Sequence, residues 1–258
     1  MVIEDPSGDM MTSHQTSRGI SMTRVVTANE YITLPRPQLD WLVPSYIPHP
    51  GVVLILGEPK AGKSFLALQI GLHIAGGLPF IQRPVVQAPV LYLQFDTSET
   101  VWRQRLAQLQ ASGVTLPNNF YMLHPDDQPI HINILTHETQ SIIRQALDAC
   151  QPKLVIVDVL RECHNEDEQD STSMKRVGDQ LMQLFYGRTL LLIHHTHKLY
   201  ESYGPPSPIN AARGSSYITG KADAIWLLHN NILSIASRFH HDERHHVKRK
   251  TNGLWEIA

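Results

Sequence analysis

Val52-Val53-Leu54-Ile55-Leu56-Gly57-Glu58-Pro59-Lys60-Ala61-Gly62-Lys63-Ser64-Phe65 is the stretch on which the reading of this chain turns. Its first five residues are an unbroken, β-branched apolar run, the pattern of a parallel strand covered on both faces. The next eight, Gly57 to Ser64, fit the phosphate-binding pattern GxxxxGK[ST]. Beyond them Phe65, Leu66, Ile70, His73 and Ile74 recur at helical spacing until Gly76-Gly77 stops the helix. A strand, a glycine loop and a helix in that order set free backbone N–H groups and the positive end of the helix dipole against an anion. In that context Gly57 and Gly62 supply backbone freedom, Lys63 reaches the terminal phosphates, and the Ser64 hydroxyl ligates Mg²⁺. Glu58, Pro59, Lys60, Ala61 and Phe65 complete the expected binding loop.

Outward from this loop, apolar runs alternate with helical periods. Val90-Leu91-Tyr92-Leu93-Gln94-Phe95 predicts a second strand, followed by a helix over about 99–110; Phe120-Tyr121-Met122-Leu123 predicts a third. Residues 136–150 read as a helix with Ile142, Ile143, Ala146 and Leu147 on one face. Leu154-Val155-Ile156-Val157 and Leu190-Leu191-Leu192-Ile193 are two further buried strands on either side of a helix over about 174–185. The alternation predicts an α/β fold with a mostly parallel central sheet and helices on both faces. Ala224–Leu228, Ile232–Ala236 and His245–Ile257 then follow as strands without helices between them. His229-Asn230-Asn231 and Thr251-Asn252-Gly253 mark the turns, so the expectation is an antiparallel C-terminal extension of the same sheet.

At 258 residues and 42% hydrophobic content the chain can bury one sizeable core, which makes one large domain the expectation. Residues 1–30, rich in Ser, Thr, Met and Asp without sustained periodicity, read as a flexible N-terminal tail, leaving 31–258 as the domain. The prolines of Leu34-Pro35-Arg36-Pro37 and Trp41-Leu42-Val43-Pro44 forbid a long helix ahead of the first core strand. A net charge of −2 gives no global attraction to nucleic acid or membrane, so any such binding must come from local patches. Two cysteines, Cys150 and Cys163, cannot build a disulfide framework, and no apolar run approaches membrane-spanning length. These features predict a soluble, cytoplasmic protein.

A phosphate loop needs a second acidic group to order Mg²⁺, and Asp158, closing the strand 154–157, stands where such a group belongs. A hydrolytic reaction also needs a carboxylate to position water. Asp96, directly after the second strand, is the candidate at the carboxyl edge of the sheet, whereas Glu99 fits a helix cap with Asp96 or Ser98 as N-cap. The strand 190–193 runs into His194-His195-Thr196-His197-Lys198. A zinc reading is set aside because H-E-x-x-H is absent, no cysteine lies nearby, and adjacent strand residues point to opposite faces. A polar side chain there could instead sense the terminal phosphate.

Taken in order, Trp41-Leu42-Val43, the loop 57–64, Leu91-Tyr92-Leu93-Gln94-Phe95-Asp96, Val155-Ile156-Val157-Asp158, His194 to Lys198, and Arg213-Gly214-Ser215-Ser216 with Ala222-Asp223 resemble the RecA-like P-loop ATPases. They are most similar to the branch of plasmid RepA-type hexameric helicases and related phage and bacterial ATPases, over about residues 38–257. The resemblance implies ATP and Mg²⁺ as ligands, a homo-oligomeric hexameric ring, and single-stranded DNA as partner. It implies that Lys63, Asp96 and His195 are catalytic, His195 coupling the terminal phosphate to DNA-facing loops. It also implies that Ser64 and Asp158 hold the metal, and that Arg213 belongs to an Arg-Gly-Ser-Ser element at the nucleotide. Lys248-Arg249-Lys250 resembles the pair of cations, here Lys248 and Lys250, that related rings insert into a neighbour's site; the other reading is a solvated edge strand protected from aggregation.

The family usually carries Glu where this chain has Asp96, one methylene shorter, which implies either a longer path to the water or slow turnover. Of the DNA-facing loops, the first carries Glu162, Glu166, Asp167, Glu168 and Asp170 against Arg161 and repels phosphate by composition. The second, about 197–212, offers His197, Lys198, Tyr200 and Tyr203 for phosphate and stacking contacts, or is a plain surface loop. Two functions therefore stand: a ring ATPase driving work on single-stranded DNA, or a nucleotide-switched regulatory protein with slow turnover.

Overall fold

The computed structural model describes residues 25–34, 39–123, 132–197, 206–214 and 216–258. Two compact units divide the chain, Met1–Gln38 and Leu39–Ala258. In the first, Thr27 opens a short helix, α1 (Ala28–Thr33), through a capping box. The Thr27 hydroxyl accepts from the Glu30 N–H at 3.2 Å, and Glu30 Oε2 accepts from the Thr27 N–H at 2.8 Å. A flexible tail reaching residue 30 was expected instead. The spacing Thr27-x-x-Glu30 is the signal that identifies the cap. Residues 1–24 and Pro35, Arg36 and Pro37 lie outside the described residues.

The second unit opens with an antiparallel ribbon, β1 (Asp40–Val43) and β2 (Ile47–His49). Next come β3 (Gly51–Gly57), α2 (Lys63–Gly76), β4 (Val90–Gln94), α3 (Glu99–Ala111), β5 (Phe120–Leu123), α4 (His137–Cys150) and β6 (Leu154–Asp158). The chain continues through α5 (Ser171–Leu184), β7 (Thr189–His195), α6 (Ser216–Lys221), β8 (Ala224–His229), β9 (Ile232–Ser237), β10 (Glu243–Arg249) and β11 (Trp255–Ile257). In the large sheet the order is β11-β10-β9-β8-β3-β7-β6-β4-β5. From β5 across to β8 the strands run parallel; β9, β10 and β11 are antiparallel.

One expectation needs correction. Ala224–Leu228 was placed in the antiparallel extension, but β8 pairs parallel with β3. The reason is local: the segment after β7 carries the chain back to the start of β3, where Asp223 exchanges bonds with Val52. The Val52 N–H donates to Asp223 Oδ2 at 2.9 Å, and the Asp223 N–H to the Val52 carbonyl at 2.8 Å. The antiparallel extension begins one strand later, at the turn Asn230-Asn231, where both residues take positive φ.

Alternation along the strands splits the core into two layers. Val53 and Ile55 of β3, Val90 and Tyr92 of β4, Leu154 and Ile156 of β6, and Leu191 and Ile193 of β7 face α2 and Trp102 of α3. Their neighbours in each strand, such as Leu54, Leu91, Val155 and Leu192, face α4, α5 and α6 through Ile143, Leu147, Val177, Leu181 and Ile218. Each fully buried aliphatic side chain contributes about 1.5–3 kcal/mol, so the central strands are held from both sides. This two-sided burial is why those runs read as continuous rather than alternating hydrophobicity. No helix among the described residues is long and apolar enough to cross a membrane.

Candidate active site

Strand parity decides what meets at the carboxyl edge. Because Leu154, Ile156 and Asp158 share a face, as do Leu191, Ile193 and His195, the polar residues ending β6 and β7 arrive on the α2 side of the sheet. There the chain leaves β3 at Gly57, turns with the Ala61 N–H bonded to the Glu58 carbonyl at 3.2 Å, and enters α2. Gly62 makes the turn possible. Its φ is +97°, and a Cβ there would sit 2.7 Å from the Trp255 ring. No side chain caps α2, so its first N–H groups lack intrahelical partners and face the cleft beside a positive dipole end.

Into this cleft, about 300 Å³ in volume, project Lys60, Lys63, Ser64, Asp96, Asp158 and His195. Lys63 is 5% exposed, and its ammonium donates to the carbonyls of Gly57 at 2.9 Å and Glu58 at 2.8 Å. Burial lowers its pKa to about 8, against the pull of the Asp158, Asp96 and Glu58 carboxylates. His195 Nδ1 lies 3.5 Å from Lys63 Nζ; burial and then the ammonium lower its pKa, so the ring is neutral at pH 7. Ser64 donates from its hydroxyl to Asp158 Oδ1 at 3.1 Å. Asp158 is almost fully buried, and burial raises its pKa to about 6 in spite of its hydrogen bonds from Tyr92 and Ser64.

Tyr92 is the residue that sequence reasoning missed here. It was read only as part of the second strand, yet its hydroxyl donates to Asp158 Oδ2 at 2.7 Å, so each carboxylate oxygen is held by a different donor. A phenol inside an otherwise aliphatic buried strand was the available signal, since a buried hydroxyl needs a partner. Arg105 of α3 and Arg249 of β10 also line the cleft and were not anticipated. Val247 points into the core, so Arg249, two residues on, faces the same side.

A nucleoside triphosphate with Mg²⁺ fits this donor set. A hydroxyl and a carboxylate already in hydrogen-bond contact are hard oxygen ligands for Mg²⁺, and an uncapped helix end with an ammonium beside it suits phosphate. Other expected residues lie elsewhere. Glu58, Pro59 and Ala61 border a neighbouring depression with Asn230, Asn231 and Trp255. Lys248 and Lys250 are exposed and do not line the cleft of their own chain; Lys250 pairs with Glu256 at 3.0 Å. Ser98 rather than Asp96 occupies the N-cap position of α3, and Glu99 pairs with Arg103.

Arg213 is on the opposite face. Its Nε lies 3.8 Å from Glu168 Oε2, and its carbonyl is 2.9 Å from His194 Nε2, so the structure does not bring it to the phosphate loop of its own chain. Gly214, at φ +80°, fits against Glu168 so closely that a Cβ would lie 2.4 Å from the Glu168 carbonyl oxygen. The acidic loop also differs from what its composition suggested. Asp170 caps α5, Asp167 accepts from the Gln169 N–H at 2.9 Å, Glu166 lies 3.5 Å from Arg176, and Glu168 is buried. Two of its five carboxylates, Glu166 and Glu168, lie against Arg176 and Arg213, whereas Asp167 and Asp170 accept backbone N–H groups and keep their charge. Lys198, Tyr200, Tyr203 and Ser215 lie outside the described residues.

A family profile described as AAA domain matches residues 17–201 of this sequence. The chain belongs to that family. Its fold is similar to that of the KaiC-like protein PH0186 of the hyperthermophilic archaeon Pyrococcus horikoshii OT3, with a TM-score of 0.53 at 12% identity. The match covers 84% of this chain and 93% of that one. This AAA-domain protein therefore has the RecA-like α/β fold, with a P-loop ATPase site at the carboxyl edge of its parallel strands.

Proposed function

We propose that this AAA-domain protein binds ATP with Mg²⁺ and hydrolyses it to drive work on single-stranded DNA, acting as a homo-oligomeric ring of the RepA-type branch. The observation that carries the hydrolytic reading is the meeting of Lys63, Ser64, Asp158 and His195 in one cleft at the end of β3. Ser64 and Asp158 would hold Mg²⁺, which when bound supplies charge neutralisation at the phosphates. The chain's own contribution is positional. The N–H groups of α2 and the Lys63 ammonium bind the terminal phosphates, Tyr92 and Ser64 orient Asp158, and Asp96 accepts from and aligns the attacking water. His195, neutral and beside Lys63, is placed to respond to the terminal phosphate.

Single-stranded DNA is supported by a narrower observation, the pairing of Glu166 with Arg176 and of Glu168 with Arg213, which offsets part of the acidic loop's charge. Ring assembly is supported by the exposure of Lys248 and Lys250 away from their own cleft, where a neighbour could receive them. The second reading, a nucleotide-switched regulatory protein with slow turnover, is favoured by Asp96, whose short side chain stands exposed at the cleft rim. ATP hydrolysis measured with and without single-stranded DNA, beside Lys63→Ala, separates the two. The motor reading expects turnover that DNA accelerates and the variant abolishes. Tight ATP binding with negligible turnover in either condition would replace it with the switch.

A further inference from the structure

Trp255 stands in the last strand of the sheet, 193 positions from Gly62, yet its indole Nε1–H donates to the Gly62 carbonyl at 3.3 Å. That carbonyl also accepts the first bond of α2, from the Leu66 N–H at 3.1 Å. The indole is therefore a second donor on the residue that turns the phosphate loop into the helix, and its ring occupies the place that a Gly62 Cβ would need. Packing alone does not require such a bond. Trp102 and Trp226 are buried in the same core, and among the described residues their indole N–H groups have no hydrogen-bond partner.

Trp255 is in turn fixed from α2. Gln69 Nε2 donates to the Trp255 carbonyl at 2.8 Å, and the Trp255 N–H donates to Gln69 Oε1 at 2.7 Å. One buried carboxamide thus serves both backbone groups of Trp255, as a neighbouring strand would. Gln69 follows Gly62 by seven residues, two turns of helix, so both lie on one face of α2. Helical side chains tilt toward the N-terminus, which lets one tryptophan touch both. The turn ahead of Trp255 packs on the same end of the helix. At Gly253, with φ +90°, a Cβ would lie 2.4 Å from the ring of Phe65, a ring that also carries the guanidiniums of Arg105 and Arg249.

We propose that Trp255 is a positioning residue for the phosphate loop: docked by Gln69, its indole holds Gly62 in the left-handed turn that aims the first N–H groups of α2 at the terminal phosphates. Donors fixed before the anion arrives cost no reorganisation on binding. The ligand touches those N–H groups and not the indole. This role rests on the nucleotide-binding reading above, and it makes the C-terminal strand part of the site.

Titration calorimetry with ATP and with inorganic tripolyphosphate, both with Mg²⁺, compares wild type, Trp255→Phe, Gln69→Met and the double variant. Phenylalanine keeps an aromatic ring and removes the N–H; methionine keeps the length of Gln69 and removes both its bonds. Each single variant is expected to bind both ligands about fivefold more weakly, because the loop serves phosphate and not the base. The double variant is expected to bind no more weakly than the weaker single, because Gln69 acts on the loop only through Trp255. In protein labelled with fluorotryptophan, the Trp255 fluorine resonance, assigned by its loss in Trp255→Phe, is expected to shift when tripolyphosphate binds. Unchanged affinities in Trp255→Phe, a resonance that stays in place, or additive losses in the double variant would overturn the role, as would a lower melting temperature with unaltered affinity. Trp255→Phe decides by itself where Gln69→Met lowers the melting temperature. Wild-type protein that bound neither ligand would overturn the nucleotide reading itself, and Lys63→Ala, expected to lose both ligands, marks that distinction.

Discussion

His194 and His195 are neighbours in one strand with identical side chains, yet they belong to two different environments. His195 faces α2, beside the Lys63 ammonium and an open cleft. His194 faces the other layer, packed beside Glu168 at 3.8 Å and the Arg213 carbonyl at 2.9 Å. On the α2 side Ser64 and Tyr92 both donate to Asp158, and Lys63 donates to the Gly57 carbonyl at the edge of the same cleft. Behind the sheet, His194 Nδ1, Glu168 Oε1 and the nearby His164 Nε2 are buried and have no hydrogen-bond partner among the described residues. One face of the edge gathers its polar groups around an open cleft, whereas the other holds the segments 164–170 and 213–214 against the sheet.

If the division is right, substitutions on the two faces separate function from stability. The largest effect is expected from Lys63→Ala, which should lower ATP hydrolysis by about 100-fold or more while leaving the melting temperature nearly unchanged, since the ammonium is held at a desolvation cost. A steady-state phosphate-release assay and a calorimetric melt check it; a collapse of the melt would mean that Lys63 is structural. Next, Gly214→Ala should cost about 2–3 kcal/mol of stability through its positive φ and the clash with the Glu168 carbonyl. Chemical denaturation reads that loss, and nucleotide affinity of the folded fraction should stay at the wild-type value. An affinity loss instead would show that the two faces are coupled.

Tyr92→Phe tests the α2 face more finely. Removing one hydroxyl frees Asp158 Oδ2, so the Mg²⁺ concentration for half-maximal ATP binding should rise about tenfold, equivalent to about 1.4 kcal/mol, while binding in chelator is unaltered. The smallest effect concerns pH. Burial lowers the pKa of both histidines below the ordinary value, so between pH 7 and 5 the unfolded chain takes up protons that the folded chain refuses. Stability contributed by these neutral rings is therefore present above the unfolded pKa of about 6.5 and is lost as pH falls below it. His194→Gln should flatten the stability slope over pH 5–7 more than His195→Gln, because His194 is the more deeply buried; denaturation at three pH values checks the ranking, and equal slopes would erase the distinction between the faces.

The parallel strands and the phosphate loop were legible because their signals are local. Burial on both faces writes a continuous apolar run, and a phosphate-binding turn needs glycines at set spacing before an uncapped helix. The α4 helix was readable to within a residue, as Thr136 at its N-cap shows, whereas the short α1 behind Thr27 was not. The direction of β8 was not. Nothing in Ala224–Leu228 distinguishes a parallel from an antiparallel neighbour, and the pairing of Asp223 with Val52 that decides it spans 171 positions. Arg213 was drawn toward the nucleotide by its motif, whereas the buried Glu168 holds it on the other side of the sheet.

The sequence by itself determined that this chain builds a strand, a glycine loop and a helix, with Asp158 and His195 at the ends of two further strands. It determined these because backbone conformation, helix-end polarity and strand parity depend on near neighbours. Only the tertiary structure decided that Tyr92 grips Asp158, that Arg105 and Arg249 share the Phe65 ring, and that Arg213 belongs to the opposite face. Those meetings depend on the order of strands in the sheet and on how the C-terminal ribbon closes over α2. Such contacts join residues that no sequence period relates, and burial energy selects them only once the whole core has formed.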